Sequence, residues 1–381
     1  MDRPALELAD VVRAAAATLA ARVPLTSDQR RALRDVGRCR TAELGGHVES
    51  CGGCGHARVA YNSCRNRHCP KCCASQQADW LSREASNLLP VEYHHVVFTL
   101  PSEVNAIALL NPRTVYDALM SAAAQTLREV AANPKHLGAE VGLLLVLHTW
   151  GQTLSYHPHV HGIATGGGLT PEGRWKNCRR GFFLPVRVLS RVFRGKFLAG
   201  MQEAFVGGKL AGFADAGAFQ RWVAQLQSKE WVVYSKPPFG GPEVVLKYLA
   251  RYTHRVAIGN SRLVKLESGR VTFSYKDYAQ AAQTKTMTLA AVEFLRRWVS
   301  HVLPRGFVKI RHYGLLANRQ SREKLKLCRR LLLVLGTVVS VCVAEAVRAD
   351  RCVVCGAQSW VIGERFGPCI EQRWCVRVDS S

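Results

Sequence analysis

The stretch that most constrains this chain is Tyr156-His157-Pro158-His159-Val160-His161-Gly162, within residues 143–168. Leu143 to His148 is a short, nearly all-apolar run, and Gly151-Gln152 suits a turn. A second run through Ile163 ends at Gly166-Gly167-Gly168, so the segment reads as strand, turn, strand. Side chains alternate along a strand, so His159 and His161 share one face and Val160 takes the other. Two imidazoles held in this way make half of a divalent-metal site. His148, on the preceding run, supplies a third ligand if the two strands pair. Such a set leaves metal positions open for a phosphate oxygen. Isolated His-X-His pairs are common and mostly structural, but four of the chain's 13 histidines cluster here beside an apolar strand. A metallo-hydrolase whose motif is completed by an acid is disfavoured, because no Asp fills that place after His161.

Charge narrows the partner. Lys and Arg number 52 against 28 acids, a formal charge of +24 over 381 residues. That excess is beyond what solubility requires and points to a polyanion, nucleic acid above all. A membrane surface is the rival, but no basic amphipathic helix with a strong aromatic face supports it. Met1 to Pro24 lacks the uninterrupted apolar core of a signal peptide. The run from Leu331 to Ala344 is broken by Gly336, Thr337 and Ser340, short of the roughly 20 residues that span a bilayer, and is expected as a buried helix. Fourteen cysteines without a secretion signal imply reduced thiols and metal sites, hence a cytoplasmic protein acting at the nucleoid.

Seven cysteines fall early: Cys39, Cys51, Cys54, Cys64, Cys69, Cys72 and Cys73. Cys51-Gly-Gly-Cys54-Gly and Cys69-Pro-Lys-Cys72 have the form of two metal knuckles. Their spacing predicts one tetrahedral structural zinc held by Cys51, Cys54, Cys69 and Cys72, with Cys64, His47 and His68 as spare donors. Arg58, Arg65, Arg67, His68 and Lys71, with Tyr61 and Asn62, offer a surface for phosphate and base contacts, although a merely solvated basic face has the same composition. Near the other end, Cys352-Val-Val-Cys355-Gly with Cys369 and Cys375 holds the parts of a further knuckle at irregular spacing.

The spacing predicts helices over the first 38 residues, from Gln76 to Pro90, over 114–132, 186–205 and 290–302. It predicts strands at 95–100 and 231–234, the latter broken by Pro237-Pro238, and a hairpin over 262–276 turning at Glu267-Ser268-Gly269-Arg270. A small-residue stretch from Gly207 reads as loose. Gly240-Gly241-Pro242 opens a further helix in which Tyr248 and Tyr252, four apart, share a face beside a cationic stripe of Lys247, Arg251, His254 and Arg255. From spacing alone that pair is equally half-buried packing or a pair of nucleophiles.

Taken together, Tyr61-Asn-Ser-Cys-Arg-Asn-Arg-His-Cys-Pro70, then His157-Pro-His-Val-His-Gly162, then Lys247-Tyr-Leu-Ala-Arg-Tyr-Thr-His-Arg255, resembles the rolling-circle transposases of the insertion sequence 91 family. Arg311-His-Tyr-Gly-Leu-Leu-Ala-Asn318 matches the same pattern, and the resemblance covers roughly residues 25 to 330. The family belongs to the HUH endonucleases, named for two histidines flanking a hydrophobic residue. The resemblance implies an α+β fold: a central antiparallel sheet with flanking helices, preceded by a small zinc-binding module. It implies a helical and zinc-binding domain over 1–85, a catalytic domain over 86–320 and a basic helical tail over 321–381. It also implies Tyr248 and Tyr252 as nucleophiles, and Mg2+ or Mn2+ on His159, His161 and a third ligand, His148 before Gln152. Single-stranded DNA would be the partner, contacted by Arg65, Arg67, Lys71, Lys247, Arg251 and Arg255, and strand transfer would pass through a 5′-phosphotyrosine. A plasmid or phage replication initiator, or a non-catalytic zinc-containing DNA-binding protein, are the alternatives.

Overall fold

The computed structural model describes residues 6–85, 87–239, 244–245, 257–317, 321–334 and 351–368. Helices α1 (Leu8–Arg22) and α2 (Ser27–Arg38) come first. Thr26 caps α2: its hydroxyl accepts from the Gln29 N–H while the Gln29 side chain accepts from the Thr26 N–H. Strands β1 (Gly46–Cys51) and β2 (Ala57–Tyr61) form a hairpin around the first cysteine knuckle. Helix α3 (Pro70–Ala85) begins at a proline, where a missing N–H costs nothing, six residues earlier than Gln76. Then come β3 (Tyr93–Thr99), α4 (Asn105–Leu110), α5 (Pro112–Ala132) and the long hairpin of β4 (Glu140–Trp150) and β5 (Tyr156–Leu169), with β6 (Trp175–Asn177) returning on β5. Helices α6 (Val186–Val206) and α7 (Ala216–Gln227) lead to β7 (Val233–Phe239). The later elements are β8 (Leu263–Glu267), β9 (Arg270–Asp277), β10 (Gln283–Ala290), α8 (Ala291–Val299), β11 (Ile310–Gly314), α9 (Ser321–Val334) and β12 (Trp360–Phe366). The described residues are therefore α+β, with antiparallel sheets.

The chain folds into two compact units, residues 1–78, 254–302 and 344–381 in one, 79–253 and 303–343 in the other. These are not the consecutive blocks expected. In the first unit α1 packs on α2 and on α8, burying Leu8, Val12 and Leu19 with Phe294, Leu295 and Trp298. The meander β8, β9, β10 runs into α8. In the second small sheet β1 is central, paired with β2 on one side and with β12, more than 300 residues away in sequence, on the other. Backbone pairing and apolar burial select their partners by fit, so segments remote in sequence complete this unit.

The second unit is built on a sheet in the order β11-β4-β5-β3-β7, with β6 beside β5. The nearly unbroken apolar run in β4 follows from burial on both faces. Leu143, Leu145 and Leu147 join Val96, Phe98 and Val160 under α4 to α7. Leu144 and Val146, with Ile163, face the opposite way into a smaller cluster that includes Trp80, Leu325 and Leu332. His148 continues that second row. Strand β7 runs through Pro237-Pro238 because it is an edge strand that bulges there: Lys236 pairs with His95 and Phe239 with Tyr93, so the two prolines stand opposite the single residue His94. Helix α7 occupies part of the stretch that had read as loose, opened by Asp215 accepting from the Ala218 N–H. The predicted buried helix over 331–344 is described only to Val334, and the remainder lies outside the described residues. No helix among the described residues is long and apolar enough to cross a membrane.

Candidate functional site

The histidines meet on one face of the central sheet. His148 on β4 stands directly across from His159 on β5, and paired residues project to the same side. His161 follows two residues on. One ring nitrogen from each of His148, His159 and His161 lies within 4.8 Å of the others. The Nε2 atoms of His159 and His161 are 3.1 Å apart. Two nitrogens bound side by side on an octahedral ion at about 2.1 Å lie about 3.0 Å apart, so this pair fits a divalent cation.

Tautomers follow from the partners. The His157 carbonyl can only accept, so His159 Nδ1, 2.6 Å away, donates to it and leaves Nε2 bare for a ligand. His161 Nδ1 lies 2.9 Å from Nε2 of His95, whose ring stacks parallel to it at 5.1 Å. When His161 ligates through Nε2, its Nδ1–H donates to His95. His95 comes from β3, where Val97 pairs with His161, so His95 shares that face from the opposite side to His148. Burial is the first cause that holds these rings neutral. It keeps His159 down to about 4 and His95, helped by Lys236 and His159, down to about 3. His161 is held well below its ordinary value by burial and then by His148 and His159. Neutral imidazole is the form that binds metal.

Sequence reasoning gave no place at the site to His95, nor to Tyr234 and Lys236 on the edge strand beside it. Lys236 on β7 pairs with His95, and Tyr234 pairs with Val97, so both share the histidine face, and both are exposed. The His94-His95 doublet at the start of an apolar strand was the available signal. Tyr156, beside the motif, is tied to Tyr116 by a 2.6 Å hydrogen bond between their hydroxyls, and burial pushes its phenol well up. Tyr248, Tyr252, Lys247, Arg251 and Arg255 lie outside the described residues. Val245, just before them, is fully buried in the apolar cluster on the histidine-bearing side of the sheet.

The thiols group differently from the expected site. Cys69 and Cys72 converge with Cys39 and Cys64, not with Cys51 and Cys54, which instead meet Cys352 and Cys355. Cys69 and Cys72 flank the start of α3, Cys39 caps α2, and Cys64 follows β2; this packing brings the four together. Cys39 and Cys64 each lie 3.6 Å from Cys72. A tetrahedral zinc shell with bonds of about 2.3 Å sets its sulfurs about 3.8 Å apart, so the cluster fits zinc. Such spacing is far beyond the S–S bond of about 2.05 Å. Among the described residues His47 and His68 join no thiol cluster; His47 instead bonds Glu49 at 3.0 Å. Cys369 and Cys375 lie outside the described residues.

Lys71, expected at the DNA surface, is largely buried, paired with Glu7 at 2.6 Å and donating to the Cys39 carbonyl. A desolvated ammonium held by a carboxylate braces α1 against the cysteine loop and is not offered to phosphate. A groove of about 770 Å3 on this unit is lined by Arg40, Arg58, Tyr61, Asn62, Ser63 and Arg65, among others. Arg40 and Arg65 have φ of 57° and 52°, left-handed backbone that costs a non-glycine residue energy. Arg58 is paired with Glu49 at 2.7 Å.

Known proteins share this arrangement along the sequence. Residues 142–324, which hold the β4–β5 hairpin, match a family model described as "Putative transposase", and residues 11–100 match one described as "Transposase zinc-binding domain". A protein of Sinorhizobium fredii named "Putative transposase y4qJ" is 52% identical over 340 residues, 87% of this chain and 85% of that one. The "Transposase for insertion sequence element IS801" of Pseudomonas savastanoi pv. phaseolicola is 32% identical over 342 residues, 84% of this chain and 80% of that one. With two domain families in the order the sequence motifs implied, and likeness over most of its length, the chain belongs to the insertion sequence 91 family of transposases, DNA-cleaving enzymes with a zinc-binding domain.

Proposed function

We propose that this transposase nicks and rejoins single-stranded DNA at the ends of its element through a 5′-phosphotyrosine, in rolling-circle transposition. The observation that carries the reading is the convergence of three imidazole nitrogens from β4 and β5 on one sheet face. A Mg2+ or Mn2+ ion held by His148, His159 and His161 would polarise the scissile phosphate and orient it for in-line displacement. The histidines supply the neutral nitrogens, and His95 fixes the tautomer and tilt of His161. Lys236 adds a positive charge on the same face.

Tyr248 and Tyr252 are the nucleophiles. They stand four residues apart in sequence, the spacing at which two phenols on a helix share a face. The phenolate oxygen attacks phosphorus, the bond to the 3′-oxygen breaks, and that oxygen leaves as a hydroxyl after taking a proton. The new phosphotyrosine ester conserves the energy of the broken diester for rejoining. Lys247, Arg251 and Arg255 accompany the tyrosines and lower the proton affinity of the phenols. In the zinc-binding unit, Cys39, Cys64, Cys69 and Cys72 hold a structural zinc, and Arg65 and Arg67 contact DNA beside the basic groove.

The test is incubation with single-stranded oligonucleotides from the element ends and Mn2+, resolved on a denaturing gel. Wild type should form a covalent protein–DNA adduct through the 5′ phosphate. The Tyr248→Phe/Tyr252→Phe variant should form none, because Phe keeps the ring and removes only the reacting oxygen. His159→Ala should abolish the adduct and retain DNA binding. An undiminished adduct in the double Phe variant overturns the nucleophile assignment, and full activity in EDTA overturns the metal role.

A further inference from the structure

The zinc-binding family match ends at residue 100, yet half of one thiol cluster comes from residues 352 and 355. We infer that Cys51, Cys54, Cys352 and Cys355 bind a second structural Zn2+, which clasps β12 onto the N-terminal unit and is the more labile of the two ions.

The two loops that bring these thiols are the same device. In each, the residue after the second cysteine is a glycine at φ of +75°, Gly55 in one and Gly356 in the other. In each, that glycine's N–H donates to the carbonyl of the first cysteine at 2.9 Å. The first cysteine's own N–H donates to the carbonyl five residues on: Cys51 to His56 at 2.8 Å and Cys352 to Ala357 at 2.7 Å. This turn points both sulfurs of a knuckle the same way, and two knuckles facing each other enclose a tetrahedral site. The Sγ atoms of Cys51 and Cys355 are 3.5 Å apart, and those of Cys54 and Cys352 are 3.7 Å apart, the spacing of a zinc tetrathiolate.

The surrounding backbone is fitted to the same closure. The Gly52 N–H donates to the Ser359 carbonyl at 2.9 Å, and a Cβ on Gly52 would come within 2.6 Å of the Ser359 hydroxyl. From there β12 runs along β1, with Cys51 opposite Trp360 and Ser50 opposite Val361. Trp360 in turn carries the Arg58 guanidinium 3.8 Å above its ring, so an arginine lining the basic groove rests on the clasped strand.

Access separates the two clusters. Cys39, Cys69 and Cys72 are buried and Cys64 is intermediate, whereas Cys54 and Cys355 are exposed. A chelator or alkylating reagent therefore reaches the Cys51–Cys355 cluster first.

The experiment uses the full chain, freshly purified. Metal analysis should find two zinc ions per chain, released to a chelator in two phases of equal amplitude. Alkylation after the fast phase, mapped by mass spectrometry, should label Cys51, Cys54, Cys352 and Cys355 together while Cys39, Cys64, Cys69 and Cys72 stay protected. Cys352→Ser/Cys355→Ser should lose one zinc and the fast phase and keep the slow phase. The wild-type labelling does not depend on any variant folding. A single zinc per chain, a fast-labelled set of Cys51, Cys54, Cys69 and Cys72, or a Cys352→Ser/Cys355→Ser variant that keeps both ions overturns the inference.

Discussion

At the scale of single residues, the metal site proposed on the histidine face separates would-be ligands from their supports. His95 touches His161 at Nδ1, the nitrogen remote from the proposed cation. Removing such a partner typically weakens metal binding about 10–100-fold. His95→Ala should therefore weaken Mn2+ binding, measured by calorimetry, by a factor in that range while the far-ultraviolet circular dichroism is unchanged; equal affinity would show that His95 only packs. Its neighbour His94 points to the other side of the sheet, 2% exposed and stacked on Phe183 at 4.9 Å. Burial holds this imidazole down from 6.5 to about 4. Between those values the unfolded chain binds a proton that the folded chain refuses, so stability is present above pH 6.5 and drains away as pH falls toward 4. For one such group the loss is on the order of 3 kcal/mol. His94→Phe should flatten this fall in urea midpoint between pH 7 and pH 4.5, and an unchanged slope would assign it to other groups. The His159–His161 pair was legible in sequence because strand periodicity is local. His95 was not, since only pairing with β5 gives it a partner.

At the scale of elements, most helices and strands followed from apolar spacing, Pro at helix starts and Gly in turns. The departures have physical causes. The short apolar positions of α7 sit among small residues, β10 alternates exposed Thr284, Thr286 and Thr288 with half-buried Lys285, Met287 and Leu289, and an edge position with a bulge lets β7 keep its prolines. Knuckle spacing reports that a cysteine pair binds metal but not which pair completes the shell, so the one zinc site expected from Cys51, Cys54, Cys69 and Cys72 became two clusters. The end of β11 supplies a test of the sheet. Gly314 sits at φ +58°, and an added Cβ would run into the Val141 carbonyl oxygen. Gly314→Ala should cost about 1–3 kcal/mol, read from chemical denaturation; a neutral substitution would mean that β11 leaves β4 before Gly314.

For the whole molecule, a charge of +24 makes DNA affinity an electrolyte problem. If six or more phosphates are neutralised, affinity should fall about a thousandfold or more between 50 and 200 mM salt. His159→Ala should show the same slope in a filter-binding or anisotropy titration, because the histidines contribute no net charge when neutral. A weak salt dependence would mean that the positive charge is spread away from the DNA path. The family, the fold class and the histidine face were readable from motifs in order along the chain. The division into units was not, since the strand that pairs with β1 arrives from the far side of the sequence.

That last pairing has a consequence for how the protein is made. Residues 46–61 leave the ribosome about 300 residues before the strand and cysteines that complete their sheet. At roughly 5–20 residues per second, translation leaves β1 with an open edge and two thiols without their partners for roughly 15–60 s. Throughout that interval the nascent chain carries an incomplete basic groove, and Arg58 has no Trp360 to rest on. Completion of that surface is thereby tied to completion of translation through residue 366, which delays it until the histidine-bearing unit has also been synthesised.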